Sequence, residues 1–315
     1  MQWPAAITLC EVGPRDGFQM EPEFIRTDAK IEIIDALART GVREIQATSF
    51  VHPRAIPQLR DAEEVLARID RVSGVVYSAL VPNERGAERG IAAKTDRVDI
   101  VVSVTDSHSW SNTNMSTARA MERARAIVRL AREAGVDVAI GFATALGCPF
   151  EGFPPYERVA GLVAQAVEEL GLRRVTIADT VGMASPALVS ATMARLLARF
   201  PSTTFALHLH NTRGMGLANL LAGLDAGVTY YDTSIAGLGG CPYAPGATGN
   251  IATEDTVHMV EEMGIRTAID LDALLAVARR VEEVVGHADS ALLKAGPSSR
   301  LLGARVGPQE KVEAS

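Results

Sequence analysis

The segment from Arg174 to Asn211 reads RVTIADTVGMASPALVSATMARLLARFPSTTFALHLHN. Two short and mostly apolar runs within it, Arg174–Ala178 and Thr203–His210, have the length and composition of strands covered on both faces. Between them, Pro186–Phe200 has the apolar periodicity of a helix, and its proline suits a first helical turn. The segment therefore predicts two parallel strands joined by a helix.

The same alternation of short apolar runs and amphipathic runs extends over most of the chain. Six further strands are predicted at Ala6–Val12, Glu44–Ser49, Val75–Leu80, Arg97–Val104, Asp137–Ala143 and Tyr230–Ile235. Eight strands, each followed by a helix, predict an α/β fold of the (β/α)8 TIM barrel type. A doubly wound open sheet is the alternative, but no glycine-rich dinucleotide fingerprint follows the first strand.

The length of the chain and its C-terminal sequence indicate one domain with additions at the C-terminus. A chain of 315 residues can form one large barrel, and it contains no linker-like segment, repeat or low-complexity tract. One or two extra helices are predicted at Asp270–His287, after the eighth strand–helix unit. We therefore assign residues 1–298 to a single TIM-barrel domain and residues 299–315 to a flexible tail.

Composition and charge argue against several classes of partner. A net charge of −7 disfavours a nucleic-acid surface, and no apolar run approaches the length that crosses a bilayer. Three scattered cysteines are too few for a disulfide framework, and Met1 lies too close to the first predicted strand for a targeting peptide. We expect a cytoplasmic protein that binds a small molecule and neither nucleic acid nor a membrane.

The end of the strand Thr203–His210 carries two histidines in the pattern His-x-His. Because successive side chains of a strand point to opposite faces, His208 and His210 share one face, with about 7 Å between them along the strand. Two imidazoles so placed at the C-terminal end of a strand can bind one divalent cation. The alternative is that both are ordinary polar residues near a surface, and the polar turn that follows them favours the metal site.

Active-site residues of such barrels lie at the C-terminal ends of the strands and on the loops that follow. This rule brings other polar segments to the same mouth, namely Glu11–Gln19, Gln46–Phe50, Asp179–Gly182 and Gly237–Asn250. Each alone is an ordinary turn, but their convergence predicts a functional site. One carboxylate, two imidazoles and an amide oxygen suit octahedral Mg²⁺ or Mn²⁺, and the best ligand set is Asp16, His208, His210 and Asn250.

Cys241 follows Gly237, Gly239 and Gly240 in the loop after the eighth strand. Glycines make such a loop flexible, which suits a lid that carries a thiol toward a substrate. The alternatives are a zinc ligand or a small buried residue without a chemical role.

These motifs resemble those of a known family, the 3-hydroxy-3-methylglutaryl-CoA (HMG-CoA) lyases of the metal-dependent lyase barrels. The resemblance runs in register from about Leu9 to the region of Asp270. It rests on EVGPRDG (11–17), TSFV (48–51), ALGCP (145–149), DTVG (179–182), HLHN (208–211), AGLGGCPY (236–243) and GNIATED (249–255). The glycine-flanked loop of Cys241 is the motif most specific to lyases within the superfamily.

The resemblance implies a metal-dependent lyase that cleaves a branched 3-hydroxyacyl-CoA to acetyl-CoA and a keto acid. CoA would enter as part of the substrate, and the family resemblance implies a homodimer. Carried over by position, the residues that would bind the Mg²⁺ or Mn²⁺ ion are Asp16, His208, His210 and Asn250.

The resemblance also implies roles for four residues around the cation. Arg15 would hold the thioester oxygen and stabilise the charge of the enolate as the carbon–carbon bond breaks. Cys241 would deliver a proton to the acetyl-CoA carbanion. Asp179 and Glu254 would support the site.

Two positions on the substrate side of the mouth depart from the family pattern. Family members usually carry Glu where Gln46 stands, and lysine where the bulky Trp110 stands. We assign these two residues to substrate binding, together with Ser49 and Thr180. The departures lead to the hypothesis that the preferred substrate is a branched 3-hydroxyacyl-CoA other than HMG-CoA.

Two alternative functions stay open from the sequence. A condensing acyltransferase of the isopropylmalate synthase type would run related chemistry in reverse, although such enzymes usually carry a long additional C-terminal region. A non-catalytic binding barrel would be expected to lose its ligands, whereas the four metal-ligand residues and Cys241 are all present in this chain.

Overall fold

The computed structural model describes residues 3–240 and 249–296. Parallel strands within these residues form a closed barrel in chain order, and the eighth strand pairs with the first. The strands are β1 Thr8–Glu11, β2 Glu44–Ser49, β3 Val76–Leu80, β4 Arg97–Ser103, β5 Asp137–Ala143, β6 Arg174–Asp179, β7 Thr204–Leu209 and β8 Tyr230–Thr233. The predicted TIM barrel is confirmed, and the open-sheet alternative is wrong.

Helices follow every strand and cover the outside of the barrel. They are α1 Thr27–Arg39, α2 Ala62–Arg68, α3 Glu84–Ala92, α4 Asp106–Thr113, α5 Thr117–Glu133, α6 Tyr156–Ala164, α7 Pro186–Arg199, α8 Gly216–Ala226, α9 Thr253–Glu262, α10 Leu271–Val285 and α11 Ala291–Ala295. Helix α10 confirms the C-terminal addition predicted at 270–287, and α11 lies beyond that range. The predicted tail, 299–315, lies outside the described residues, so its flexibility stays a prediction.

The core lies mainly between the barrel and its helices. Ile34 and Leu37 of α1 and Val175 and Ile177 of β6 are all fully buried, as the apolar periodicity of these segments predicts. Each such side chain contributes about 1.5–3 kcal/mol through burial, so the barrel is a rigid support for the loops at its mouth. No helix in the described ranges combines the length and apolar character needed to span a membrane.

The interior of the barrel contains charged side chains that the mostly apolar strands did not lead us to expect. Glu44 on β2 accepts hydrogen bonds from Arg97 on β4 at 2.7 Å and from Arg174 on β6 at 2.5 Å. Because these strands are not neighbours in the barrel, the contacts must cross its interior. The interior at the N-terminal ends of the strands is therefore an ion-pair network and not a purely apolar core.

Candidate active site

Three of the predicted metal ligands meet at the mouth of the barrel. The Nε2 atoms of His208 and His210 are 3.1 Å apart, and His208 Nε2 lies 3.8 Å from Asp16 Oδ2. One ligand atom of each residue lies within 4.8 Å of the other two. No other three His, Cys, Asp or Glu side chains in residues 3–240 and 249–296 come this close together. Such convergence of two imidazoles and a carboxylate is typical of a site for a divalent cation.

Asp16 reaches this cluster through a tight helical turn, Gly13–Gly17, that follows β1 almost directly. The turn packs against the loop after β8, and a Cβ at Gly17 would lie only 2.8 Å from the Cβ of Leu238. Glycine is therefore required at this position for close packing of the two loops. The second glycine of the EVGPRDG motif thus has a steric cause.

The protonation states of Asp16 and His210 suit cation binding. Burial alone would raise the pKa of Asp16, but the Arg15 guanidinium and the two histidines lower it to about 2. Burial and the charge of His208 lower the pKa of His210 to about 3. At neutral pH the site therefore contains an ionised carboxylate and a neutral imidazole, which are the forms that bind metals.

Asn250, the fourth predicted ligand, also lies at the cluster. It pairs with His210 in an isolated β-bridge, and its Nδ2 donates hydrogen bonds to Asp16 Oδ2 at 2.8 Å and to the Leu238 carbonyl at 3.2 Å. Its Oδ1 is buried and has no hydrogen-bond partner among the described residues. A half-turn of the amide would exchange the two atoms, so coordination through oxygen requires the orientation opposite to the one observed.

Arg15 lies beside the cluster and is almost fully buried. Its Nη1 donates to Asp16 Oδ1, and its Nε donates to Gln46 Oε1. A guanidinium has five N–H donors, so these two contacts fix its plane and leave the other N–H groups available to a ligand. The predicted neighbourhood of Arg15, Gln46 and the metal ligands is therefore present in the structure.

Asp179 and Thr180 lie on the neighbouring strand end. Asp179 is the last residue of β6, where the sequence had placed the start of a loop, and its Oδ1 accepts hydrogen bonds from the amides of Met183 and Ala184. Burial raises its pKa to about 6, and its Oδ2 has no partner within the described ranges. Thr180 Oγ1 accepts a hydrogen bond from the Thr144 amide at 2.8 Å, which ties this turn to the loop after β5.

The remaining predicted residues differ in their burial. Ser49 ends β2 and is buried, whereas Trp110 lies on α4 with 54% of its surface exposed. Glu254 lies in the first turn of α9 and is completely buried. Cys241 lies outside the described residues, and its predicted role stays a prediction.

Comparison with known proteins identifies the family. A family model described as HMGL-like matches residues 6–281. The chain therefore belongs to the HMGL-like family. Hydroxymethylglutaryl-CoA lyase YngG of Bacillus subtilis is 44% identical over 286 residues, which are 91% of this chain and 95% of that protein. The mitochondrial hydroxymethylglutaryl-CoA lyase of Homo sapiens is 39% identical and covers 86% of this chain and 83% of its own length.

Solved structures of HMG-CoA lyases have the same fold as this HMGL-like chain. The crystal structure of the Bacillus subtilis HMG-CoA lyase matches with a TM-score of 0.91 and covers 94% of this chain and 99% of its own. An HMG-CoA lyase from Acinetobacter baumannii, in complex with coenzyme A and 3-methylmalate, matches with a TM-score of 0.90 at 41% identity, over 95% and 98%. The HMGL-like chain is thus a carbon–carbon lyase.

Asp232 on β8 is a site residue of this HMGL-like enzyme that the sequence did not lead us to predict. Its Oδ2 lies 3.3 Å from His208 Nδ1, the nitrogen that faces away from the cluster. Burial alone would lower the pKa of His208, but the hydrogen bond to Asp232 and the charge of Asp16 outweigh burial and raise it. The sequence feature that could have indicated this role is the single carboxylate within the predicted strand Tyr230–Ile235. Asp232 orients the His208 ring so that Nε2 points to the cluster.

Replacing Asp232 by Asn should weaken Mn²⁺ binding by about 10- to 100-fold, because a carboxylate partner orients a ligating histidine and raises its basicity. Calorimetric titration of the purified protein with Mn²⁺ measures this effect. Asp225→Asn, which removes an equal charge from an exposed position on α8, is the matched control. An unchanged Kd in Asp232→Asn would contradict the assignment.

Two buried carboxyl groups hold the loop after β8. Glu11 accepts hydrogen bonds from the amides of Gly13 and Ile235 at 2.7 and 2.9 Å, and Glu254 accepts one from the amide of Ala236 at 3.2 Å. Ala236 has a φ of 58°, a left-handed conformation that is unfavourable for a residue with a Cβ. The two carboxyl groups therefore stabilise a strained turn immediately before the loop that contains Cys241.

These carboxyl groups should make the enzyme less stable as the pH rises. Burial raises the pKa of Glu11 to about 7 and that of Glu254 to about 8, from an ordinary value of 4.5. Between pH 4.5 and 8 the folded state holds these protons more tightly than the unfolded state, so the free energy of unfolding falls with rising pH. Glu254→Gln should reduce this fall when urea unfolding is measured across the window. The exposed Glu262→Gln, on the same helix, should retain the wild-type slope, and equal slopes in all three proteins would refute the interpretation.

Proposed function

We propose that this enzyme is a divalent-metal-dependent lyase that cleaves HMG-CoA or a closely related branched 3-hydroxyacyl-CoA to acetyl-CoA and a keto acid. The observation that carries the proposal is the cluster of Asp16, His208 and His210 beside the buried guanidinium of Arg15. The relative from Acinetobacter baumannii, in complex with coenzyme A and 3-methylmalate, supports an acyl-CoA as the substrate class.

The residues at the cluster fit Mg²⁺ or Mn²⁺. Oxygen and imidazole ligands suit these ions, and the buried, unpartnered Oδ1 of Asn250 supplies a further oxygen once its amide turns. Asp16, His208, His210 and Asn250 would hold the ion. When bound, the cation acts as a Lewis acid toward the substrate oxygens and makes the tertiary hydroxyl easier to deprotonate.

Arg15 and Cys241 complete the proposed reaction. The tertiary hydroxyl gives its proton to water, its oxygen becomes the ketone oxygen of the product acid, and the electron pair of the carbon–carbon bond passes to the thioester. Arg15, through the N–H groups that Gln46 and Asp16 leave free, stabilises the enolate of acetyl-CoA. Cys241 then donates its proton to the enolate carbon, which completes acetyl-CoA, and water returns a proton to the Cys241 thiolate. Asp179 and Glu254 support the site from β6 and α9.

Substrate selection is assigned to the other polar residues of the mouth. Gln46, Ser49, Thr180 and Trp110 would contact the acyl group or the rim around it. Gln46 removes one negative charge relative to Glu, and it cannot act as a base. We therefore propose that the preferred acyl group differs from that of HMG-CoA.

A panel of branched 3-hydroxyacyl-CoA thioesters, HMG-CoA among them, tests the proposed substrate. The enzyme is assayed with Mn²⁺, and kcat/KM is determined for each thioester by release of acetyl-CoA. We expect the enzyme to cleave one close relative of HMG-CoA with a higher kcat/KM than HMG-CoA itself. Fast and preferential cleavage of HMG-CoA would assign the ordinary substrate and would make Gln46 a tolerated variation.

The proposal includes a homodimer in the cytoplasm. The dimer is supported by the resemblance to the HMG-CoA lyases, and the compartment by the small number of cysteines. Light scattering coupled to gel filtration measures the oligomeric state, and a monomeric mass would refute the proposed homodimer.

A further inference from the structure

A continuous string of buried hydrogen bonds runs from the ion pairs of the barrel interior up to Arg15. Arg97 Nε donates to Asp99 Oδ1 at 2.7 Å, and Gln46 Nε2 donates to Asp99 Oδ2 at 2.6 Å. Gln46 Oε1 in turn accepts from Arg15 Nε. Every residue in this string is more than nine-tenths buried, so water does not compete for these contacts.

The string permits only one orientation of the Gln46 amide. Arg15 can only donate hydrogen bonds and the ionised Asp99 can only accept them, so the amide oxygen must face Arg15 and the amide nitrogen must face Asp99. Ser78 Oγ also donates to Asp99 Oδ2, at 2.6 Å, which holds the carboxylate in place from a third strand. The pairing of β2 with β3 shifts register between Gln46 and Thr48, as in a β-bulge, and such irregularities aim side chains at active sites.

We infer that Asp99 is a positioning residue for the reaction and that it acts through Gln46 on the guanidinium of Arg15. Both oxygens of the Asp99 carboxylate already accept hydrogen bonds within the barrel. Its negative charge fixes the polarity of the Gln46 amide, and the amide fixes the plane of Arg15. This inference rests on the proposed function only for its catalytic consequence, because the hydrogen-bond string is independent of the reaction.

The inference explains why a carboxylate at position 46 does not fit this chain. Gln46→Glu would place an acceptor about 2.6 Å from Asp99 Oδ2, where the structure has a donor. Asp99→Asn creates a similar mismatch. The carboxylate accepts from Arg97 with one oxygen and from Gln46 with the other, and the new side chain has an NH2 group in place of one of these oxygens. Each single substitution therefore breaks one link of the string.

The double variant Gln46→Glu/Asp99→Asn restores the string with the opposite polarity at one link. The new amide at position 99 would accept from Arg97 Nε through its oxygen and donate through its nitrogen to the new carboxylate at position 46. The other oxygen of that carboxylate would accept from Arg15. The series of hydrogen bonds that connects Arg97 with Arg15 is then complete again, and the total charge is unchanged. This exchange separates a positioning role from a general role of Asp99 in stability.

The experiment compares the wild type, the two single variants and the double variant with the best thioester of the panel. We expect each single variant to lose about 10- to 100-fold in kcat, with bound Mn²⁺ unchanged, because misplacement of a catalytic group by about 1 Å has effects of this size. The double variant should recover most of the loss. Asp61→Asn is the control for breaking a buried ion pair, since Asp61 pairs with Lys30 at 2.7 Å outside the barrel, and its kcat should stay normal.

A second readout does not depend on activity. The Nε–Hε group of Arg15 gives an NMR signal in ¹⁵N-labelled protein, which Arg15→Lys identifies by its loss. Its hydrogen exchange should be slow in the wild type, fast in both single variants and slow again in the double variant. If the wild type cleaves no thioester but the exchange follows this pattern, the proposed function fails and the positioning stands. Normal kcat in the single variants, or no recovery of kcat and exchange protection in the double variant, overturns the inference.

Discussion

Replacing His208 or His210 by alanine should remove the bound cation and reduce kcat by about 10³-fold or more. The reason is that a cation contributes several kcal/mol to the transition state, and about 1.36 kcal/mol corresponds to a factor of ten. The Nε2 atoms of the two rings are 3.1 Å apart at the cluster, so each substitution deletes a donor that the other residues cannot replace. Metal content after dialysis against Mn²⁺, together with kcat, measures both effects.

The matched control for these variants is His287→Ala. His287 has a side chain that is 58% exposed, and it contacts Glu21, which is not one of the three clustered residues. This variant should bind Mn²⁺ and turn over like the wild type. Full metal content and a normal rate in both His208→Ala and His210→Ala would refute the ligand assignment.

Arg15→Lys should reduce kcat by about 10²- to 10³-fold while the cation stays bound, because it removes oriented donors from a developing negative charge. A lysine ammonium cannot contact Gln46 and Asp16 and still present a fixed fork to the substrate. Arg15 is not one of the three clustered residues, so metal content should change little. Steady-state kinetics and metal analysis of the same preparation separate the two quantities.

Arg280→Lys is the control for this exchange of side chains. Arg280 pairs with Glu32 on the exposed side of α10, and its replacement should leave kcat unchanged. If the kcat of Arg15→Lys were within about twofold of the wild type, the proposed stabilisation of the enolate by the Arg15 guanidinium would be wrong.

The features that depend on local periodicity could be predicted from the sequence. The segment 174–211 was predicted as a strand, a helix and a strand because the length of the apolar runs and the apolar spacing of the helix distinguish these elements. The His-x-His pattern placed two rings on one face for the same reason, and the structure brings them together with Asp16. The barrel rule then placed the loop of Asp16 at the same mouth as the two histidines, since parallel strands present their C-terminal ends at one mouth.

The features that depend on closure of the barrel could not be predicted. Glu44 and Arg174 are 130 residues apart, and each looked like an isolated charge beside an apolar run. Only the closed barrel shows that they face each other across the interior. Asp232 was missed for the same reason, because its position opposite His208 follows from the register of β7 and β8. The orientation of the Asn250 amide also depends on its neighbours and not on its place in the sequence.

We propose that the lyase reaction requires a divalent cation bound by Asp16, His208 and His210. Release of acetyl-CoA from the panel of branched 3-hydroxyacyl-CoA thioesters tests this requirement, using protein stripped with EDTA and then reconstituted with Mn²⁺ or Mg²⁺. We expect negligible release by the stripped protein, and equimolar acetyl-CoA and keto acid after reconstitution. Equal release with and without the cation, or no release from any thioester by protein that has bound Mn²⁺, would contradict it.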